Sequence, residues 1–235
     1  MASVDISTNG IRVRLHIWDR SQQQVPLLLL HSAGESAATW FDLADQWSMS
    51  RTVYAIDLRG HGHSERTARY SLELMRDDVH GVLDTLALDQ VDVIGHSLGG
   101  MVAYLLASQG RDEIRRIVLE EAPPPLPLIP PRPIPDNPGK DLGFDWQVIT
   151  DLYPQRNNPD PTWWDELQRI DQPVLTLAGG PQSHIDQDQL KRMSDRIPNA
   201  TITTIESGHN IHQTQPEGFT AAVSDFLGRQ DLSGA

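Results

Sequence analysis

A mostly parallel β-sheet with helices on both faces is the architecture this sequence predicts. Three observations carry that prediction. Strand-like runs alternate with helical ones along the chain, the signature of an α/β domain. Several strand-like runs are continuously apolar, as strands covered on both faces are. One such run enters a helix through a glycine-flanked serine turn, Gly95-His96-Ser97-Leu98-Gly99-Gly100.

The elements follow in order. Ile11 to Trp18 alternates apolar and polar side chains, as a half-buried strand does. Val25 to Leu30 is a continuous apolar run, and Thr52 to Ile56 is a second apolar strand candidate. Val91 to Ile94, Ile117 to Leu119, Pro173 to Leu177 and Ala200 to Ile205 complete the strand set. Helical periodicity covers about 37–47, 71–86, 98–109, 186–196 and 216–228. There is no internal repeat.

One segment breaks the rhythm. Residues 123–138 hold nine of the 17 prolines, a density that forbids a helix or a central strand. Phe144, Trp146, Tyr153, Trp163 and Trp164 follow, interspersed with acidic residues. Aromatics at this density suit a small cap over a pocket better than a solvated linker. The expected division is therefore a core in two parts, 1–122 and 170–235, with a Pro/Trp-rich cap insertion at 123–169.

Composition bounds the function. The 235 residues suffice for one domain with a sizeable core. A formal net charge of −13 argues against a nucleic-acid or anionic-membrane partner. Cysteine is absent, which excludes disulfides and thiolate metal sites. The N-terminal residues lack a basic segment followed by an apolar one, and the longest apolar run is too short to span a bilayer. A cytoplasmic protein acting on a small molecule is the expectation; oligomeric state is left open.

Chemistry centres on Ser97. A serine at a strand–turn–helix apex projects its Oγ above the sheet edge, which makes it a candidate nucleophile. It needs a base, a carboxylate that orients the base, and N–H donors for an oxyanion. Among nine histidines, His209 lies just past the strand ending at Ile205, where ligand chemistry gathers in an open sheet. His212 is its nearest competitor. The loop His31-Ser32-Ala33-Gly34 follows the strand ending at Leu30, so the backbone N–H groups of Ala33 and Leu98 are candidate oxyanion donors. His31 reads as a brace for that loop at the pocket edge. Asp57-Leu58-Arg59-Gly60-His61-Gly62-His63-Ser64 reads as a structural turn; no converging ligand set is visible and no metal is expected.

Assembled, these segments resemble the α/β-hydrolase fold superfamily, most closely its small serine esterase-like members with a short cap. The resemblance rests on four motifs in order: His31 to Gly34, Asp57 to Ser64, Gly95 to Gly100, and Gly208-His209. It implies about eight strands, a cap after the sixth, and no cofactor. It also implies a triad acid after the strand before the last, but that position falls on Gln182. Asp186 and Asp188 come later, where a helix begins, and suit capping. A second superfamily solution puts the acid after the sixth strand, at Glu121 with Glu120 beside it. Strand alternation lets one of the two face His209, and Glu121 is the choice.

The expected activity is hydrolysis of an ester, lactone or thioester through an acyl-enzyme, by Ser97, His209 and Glu121. Trp146, Trp163 and Trp164 are expected to shape a partly apolar substrate pocket. The same fold hosts C–C bond hydrolases, lyases and perhydrolases, and a non-catalytic small-ligand receptor is the reading outside enzymology. An aspartate-nucleophile enzyme is disfavoured by the serine at 97.

Overall fold

The computed structural model describes residues 1–140 and 142–229. Eight strands form one sheet in the order β1-β2-β4-β3-β5-β6-β7-β8. They are β1 (Ala2–Thr8), β2 (Ile11–Trp18), β3 (Gln24–Leu30), β4 (Arg51–Ile56), β5 (Val91–His96), β6 (Ile114–Glu120), β7 (Val174–Ala178) and β8 (Ala200–Thr204). β2 runs antiparallel to both β1 and β4, and the remaining neighbours pair in parallel. The predicted fold class is the observed one. The strand missing from the sequence reading is β1, an edge strand with a single buried residue, Ile6. A mostly solvated edge needs no apolar alternation, so periodicity passes over it.

Helices cover both faces: α1 (Phe41–Trp47), α2 (Leu72–Leu86), α3 (Leu98–Ala107), α4 (Gln147–Asn157), α5 (Pro161–Glu166), α6 (Gln187–Arg196), α7 (Ile211–Thr214) and α8 (Pro216–Gly228). Ser71 caps α2 by accepting from Leu74 N, and Asp186 caps α6 by accepting from Gln189 N. Every residue of α3 is buried, so this helix is apolar all round and sits within the core. It carries the serine turn at its start, which fixes that turn against the sheet.

Two core layers flank the sheet. One gathers α2, α3 and residues from 144–170, including Val148, Leu152, Trp163 and Leu167. The other gathers α1 and α8 around Trp40, Trp47 and Phe219. The segment 123–169 lies between β6 and β7, and α4 and α5 arise within it. α4 contains Pro154, which hides it from a helical reading of the sequence. No helix among the described residues is long and apolar enough to cross a membrane.

Candidate active site

The serine turn is strained. Ser97 adopts φ +50°, ψ −108°, in the left-handed half of backbone space that a side-chain-bearing residue rarely occupies. Its surroundings enforce this. A Cβ on Gly95 would lie 2.4 Å from Gly99 O, and one on Gly99 would lie 2.3 Å from Leu30 O. Glycine at both positions lets β5, β3 and α3 converge below the serine. Ser97 N donates to Glu120 O at 2.9 Å, which ties the turn to β6.

The loop after β3 faces that turn. Gly99 N donates to His31 O at 3.1 Å. Among the described residues, the N–H groups of Ala33 and Leu98 have no hydrogen-bond partner, and both residues line a cavity with Ser97. Leu98 is the first residue of α3, where N–H groups lack an intrahelical acceptor. Two uncharged histidines hold the loop. Leu58 N donates to His31 Nε2 at 2.9 Å, and His31 Nδ1 lies 2.7 Å from Ser32 O, which fixes the Nδ1–H tautomer. Gly34 N donates to His61 Nε2 at 3.2 Å, and His61 Nδ1 reaches Arg59 O at 3.0 Å. Burial pushes His31 down, and burial with the neighbouring His31 pushes His61 down to about 3. The turn at 57–64 is thus a structural support. Its Asp57 accepts from Ala37 N and His63 N at 2.8 Å each.

The two glutamates at the end of β6 diverge. Glu121 takes φ +48° and turns toward β7 and the loop after β8. Its Oε2 lies 3.2 Å from His209 Nδ1. Gly179 N donates to Oε1 at 2.5 Å, Gln187 Nε2 donates to Oε1 at 3.2 Å, and Ser183 Oγ donates to Oε2. Burial opposes ionisation of Glu121, but His209 and these donors together hold its carboxyl below the usual range. Glu120 points the other way and accepts from His212 N at 2.8 Å and from His212 Nδ1 at 2.8–3.0 Å. Asp186 is occupied as the α6 cap.

His209 therefore sits between two rings and beside one carboxylate. Its ring centroid is 4.1 Å from that of His184 and 4.8 Å from that of His96, the residue before Ser97. His96 Nε2 donates to His209 O at 2.9 Å and so fixes the loop from below. Among the described residues, Ser97 Oγ has no hydrogen-bond partner.

The family model described as the alpha/beta hydrolase fold matches residues 25–167. The chain belongs to this α/β-hydrolase fold family. Several of its relatives bear hydrolase names. It is 26% identical over 221 residues to the sn-1-specific diacylglycerol lipase ABHD11 of Mus musculus, covering 75% of this chain and 72% of that one. It is 36% identical over 120 residues to a 2-hydroxymuconate semialdehyde hydrolase of Pseudomonas sp. (strain CF600), a match spanning 49% of this chain and 41% of that one. The crystal structure of the enol-lactonase from Burkholderia xenovorans LB400 superposes with a TM-score of 0.80 at 21% identity, over 96% of this chain and all of that one. At that identity the superposition speaks for fold alone.

This α/β-hydrolase has a narrow cavity of about 10 Å³ at Ser97, lined by Ala33, Leu98, Met101, Leu152, Tyr153 and Arg156, with Ile149. A second, of about 80 Å³, adjoins it through Met101 and Arg156. A larger depression of about 490 Å³ lies at the starts of β3 and β4, remote from the strand ends where ligands bind in such sheets. The expectation that tryptophans shape the pocket is corrected. Trp163 is buried in the core, Trp164 lies under Arg192 and Arg196, and Trp146 packs beside Phe144. None lines either cavity, because α4 presents Tyr153 and Arg156 there instead. His31 also lies outside the cavity linings, fully buried behind its loop.

The hydrolase carries one further polar cluster. His96, Glu120 and His212 place ligand-type atoms within 4.8 Å of one another. Those atoms are largely engaged: His212 Nε2 lies 2.9 Å from Thr39 Oγ1, and its Nδ1 faces Glu120. The cluster acts as an ion-pair network that anchors the segment after β8. Ser183, Gln187 and Gly179, which hold Glu121, escaped sequence reasoning. They carry no local signal and converge only through the pairing of β6 with β7.

Proposed function

We propose that this chain is a serine hydrolase that cleaves an ester or related acyl bond of a small molecule through an acyl-enzyme. The observation that carries the reading is the 3.2 Å contact between His209 Nδ1 and Glu121 Oε2, beside a serine in a strained turn. The words lipase and esterase in the names of its relatives support ester cleavage as the class.

In this mechanism His209 Nε2 takes the proton of Ser97 Oγ, which attacks the substrate carbonyl carbon. The N–H groups of Ala33 and Leu98 receive the developing oxyanion. Glu121 stays ionised, keeps the Nδ1–H tautomer and stabilises the imidazolium. Collapse breaks the bond to the leaving group, which departs with the proton from His209. Water, deprotonated by His209, then cleaves the acyl-Ser97 ester and releases the acid. The segment 123–169 serves as a cap whose helix α4 closes the cavity over Ser97.

The test is a panel of p-nitrophenyl esters combined with a small-ligand binding screen. Ser97→Ala is expected to lower kcat by about 10⁶-fold. Undiminished hydrolysis by Ser97→Ala overturns the assignment, and ligand binding with negligible turnover by the wild type favours a receptor.

A further inference from the structure

We propose that the substrate carries an ionised carboxylate besides its reacting acyl group, and that Arg156, assisted by Arg132, reads it. This deepens the reading above and rests on Ser97 being the nucleophile.

Arg156 lies in the last turn of α4 and lines both the cavity at Ser97 and the one adjoining it. Its guanidinium has neither a hydrogen bond nor a carboxylate partner among the described residues. It lies 5.8 Å from the centre of the Tyr153 ring. That is unusual for this chain, which holds 32 acidic residues against 19 basic ones. Three other arginines that face the interior are paired with carboxylates. Arg59 makes a two-pronged pair with Asp78 at 2.6 and 2.7 Å, and Arg51 and Arg115 share Asp92. A half-buried, unpaired guanidinium costs solvation that nothing in the apo site returns, apart from the favourable end of the α4 dipole. Burial and the nearby charge of Arg132 both push Arg156 down from its usual range, in line with a cation lacking a counter-ion.

Arg132 widens the positive region. It lines the adjoining cavity, donates to His184 O at 2.8 Å and has no carboxylate partner among the described residues. Asn157 fixes its backbone: Arg132 N donates to Asn157 Oδ1 at 2.9 Å, and Asn157 Nδ2 donates to Arg132 O at 2.8 Å. The proline-rich stretch and the end of α4 are thereby held in one frame, with two guanidinium groups facing one space. The acid of that lining, Asp186, caps α6 through Oδ1 and forms no ion pair with either guanidinium. His184 adds no charge, since burial and the charges of His209, Arg132 and Arg156 hold it down to about 4. A planar guanidinium beside a nucleophile, in an otherwise apolar cavity, matches a carboxylate through two parallel N–H···O bonds.

The experiment compares p-nitrophenyl hydrogen adipate with p-nitrophenyl methyl adipate, which differ by one negative charge. Ser97→Ala supplies the background rate. Wild-type kcat/KM is expected to favour the anionic ester by about tenfold or more, and the preference is expected to fall with salt. Arg156→Gln is expected to cut the anionic-to-neutral ratio by about 10- to 100-fold, mainly through KM. Arg156→Lys is expected to keep part of the preference, and it serves as the deciding variant if Arg156→Gln does not fold. Calorimetric titration with monomethyl adipate reads the same contact without turnover. No preference in the wild type, or an unchanged ratio in the folded variants, overturns the proposal. Arg156-dependent binding of monomethyl adipate, with no hydrolysis that depends on Ser97, overturns the serine-hydrolase reading and leaves the carboxylate site standing.

Discussion

Glu121→Gln removes one charge and leaves the shape of the side chain almost unchanged. In the wild type Glu121 Oε2 lies 3.2 Å from His209 Nδ1, and both groups are largely shielded from solvent. At that separation and an effective dielectric of about 20, opposite unit charges attract by about 5 kcal/mol. That energy is available when His209 becomes an imidazolium, and its loss corresponds to about 10⁴ in rate. Tautomer choice acts in the same direction. A glutamine whose carbonyl still accepts from Gly179 N turns its NH₂ toward His209, which favours a deprotonated Nδ1 and a proton on Nε2. An imidazole in that state cannot accept from Ser97. We expect kcat on a p-nitrophenyl ester to drop by about 10³- to 10⁴-fold, with KM little changed. Circular dichroism and Tm establish that the variant is folded. Glu120→Gln is the matched control. It breaks a fully buried pair with His212, for which about 3–5 kcal/mol of stability is expected to be lost. A folded Glu121→Gln that keeps kcat within about tenfold of wild type refutes the assignment of Glu121 as the orienting acid.

Two predictions concern stability. Gly99→Ala forces a Cβ to within 2.3 Å of Leu30 O and 2.5 Å of Leu30 C, backbone atoms that cannot yield without parting α3 from β3. It is expected to cost about 1–3 kcal/mol or more, at about 2–4 °C in Tm per kcal/mol. Gly110→Ala, at φ +74° with nothing within 4 Å of its Cβ, is the comparator and should cost about 1–2 kcal/mol for backbone alone; equal Tm losses would show that the close approach is not tight. Acid stability is the second prediction. Burial opposes ionisation of Glu35, but the His96 ring 3.7 Å away and the neighbouring His212 and His31 hold it down from 4.5 to about 2. Its folded-state value is the lower one, so its contribution is complete above pH 4.5 and is lost as pH falls toward 2. Asp57, held down to about 2 despite burial by His16 and the N–H groups of His63 and Ala37, adds to the same loss below 3.8. Thermal melts across that window should show a shallower fall of Tm with acid in Glu35→Gln than in the wild type, and parallel curves would remove Glu35 from the account.

Much of the site is local in the chain. The glycines around Ser97, the apolar run before it and the apolar helix after it are consecutive residues, so one window of sequence contains the strand, the turn and the helix. The loop at 31–34 follows its strand directly in the same way. The pocket was not legible, because its lining comes from α4, a helix interrupted by Pro154, while the flanking Trp146, Trp163 and Trp164 pack in or against the core and not the cavity. Arg156 has no motif around it; its meaning comes from having no partner in a folded chain rich in carboxylates.

The sequence by itself determined the α/β class, the serine turn, the loop after β3 and the order of their elements, since each rests on spacing within a few residues. The tertiary structure decided which side chains meet. Glu120 and Glu121 are adjacent and chemically alike, yet one lies against His212, 92 residues away in sequence, and the other against His209, 88 residues away. The backbone at Glu121, with its φ of +48°, turns the second carboxylate off the strand and toward β7. Only the pairing of β6 with β7 and of β7 with β8 brings Gly179, Ser183 and His209 to the place where that carboxylate arrives. Local sequence sets the direction of a chain, whereas contact between residues so far apart is set by sheet order and packing.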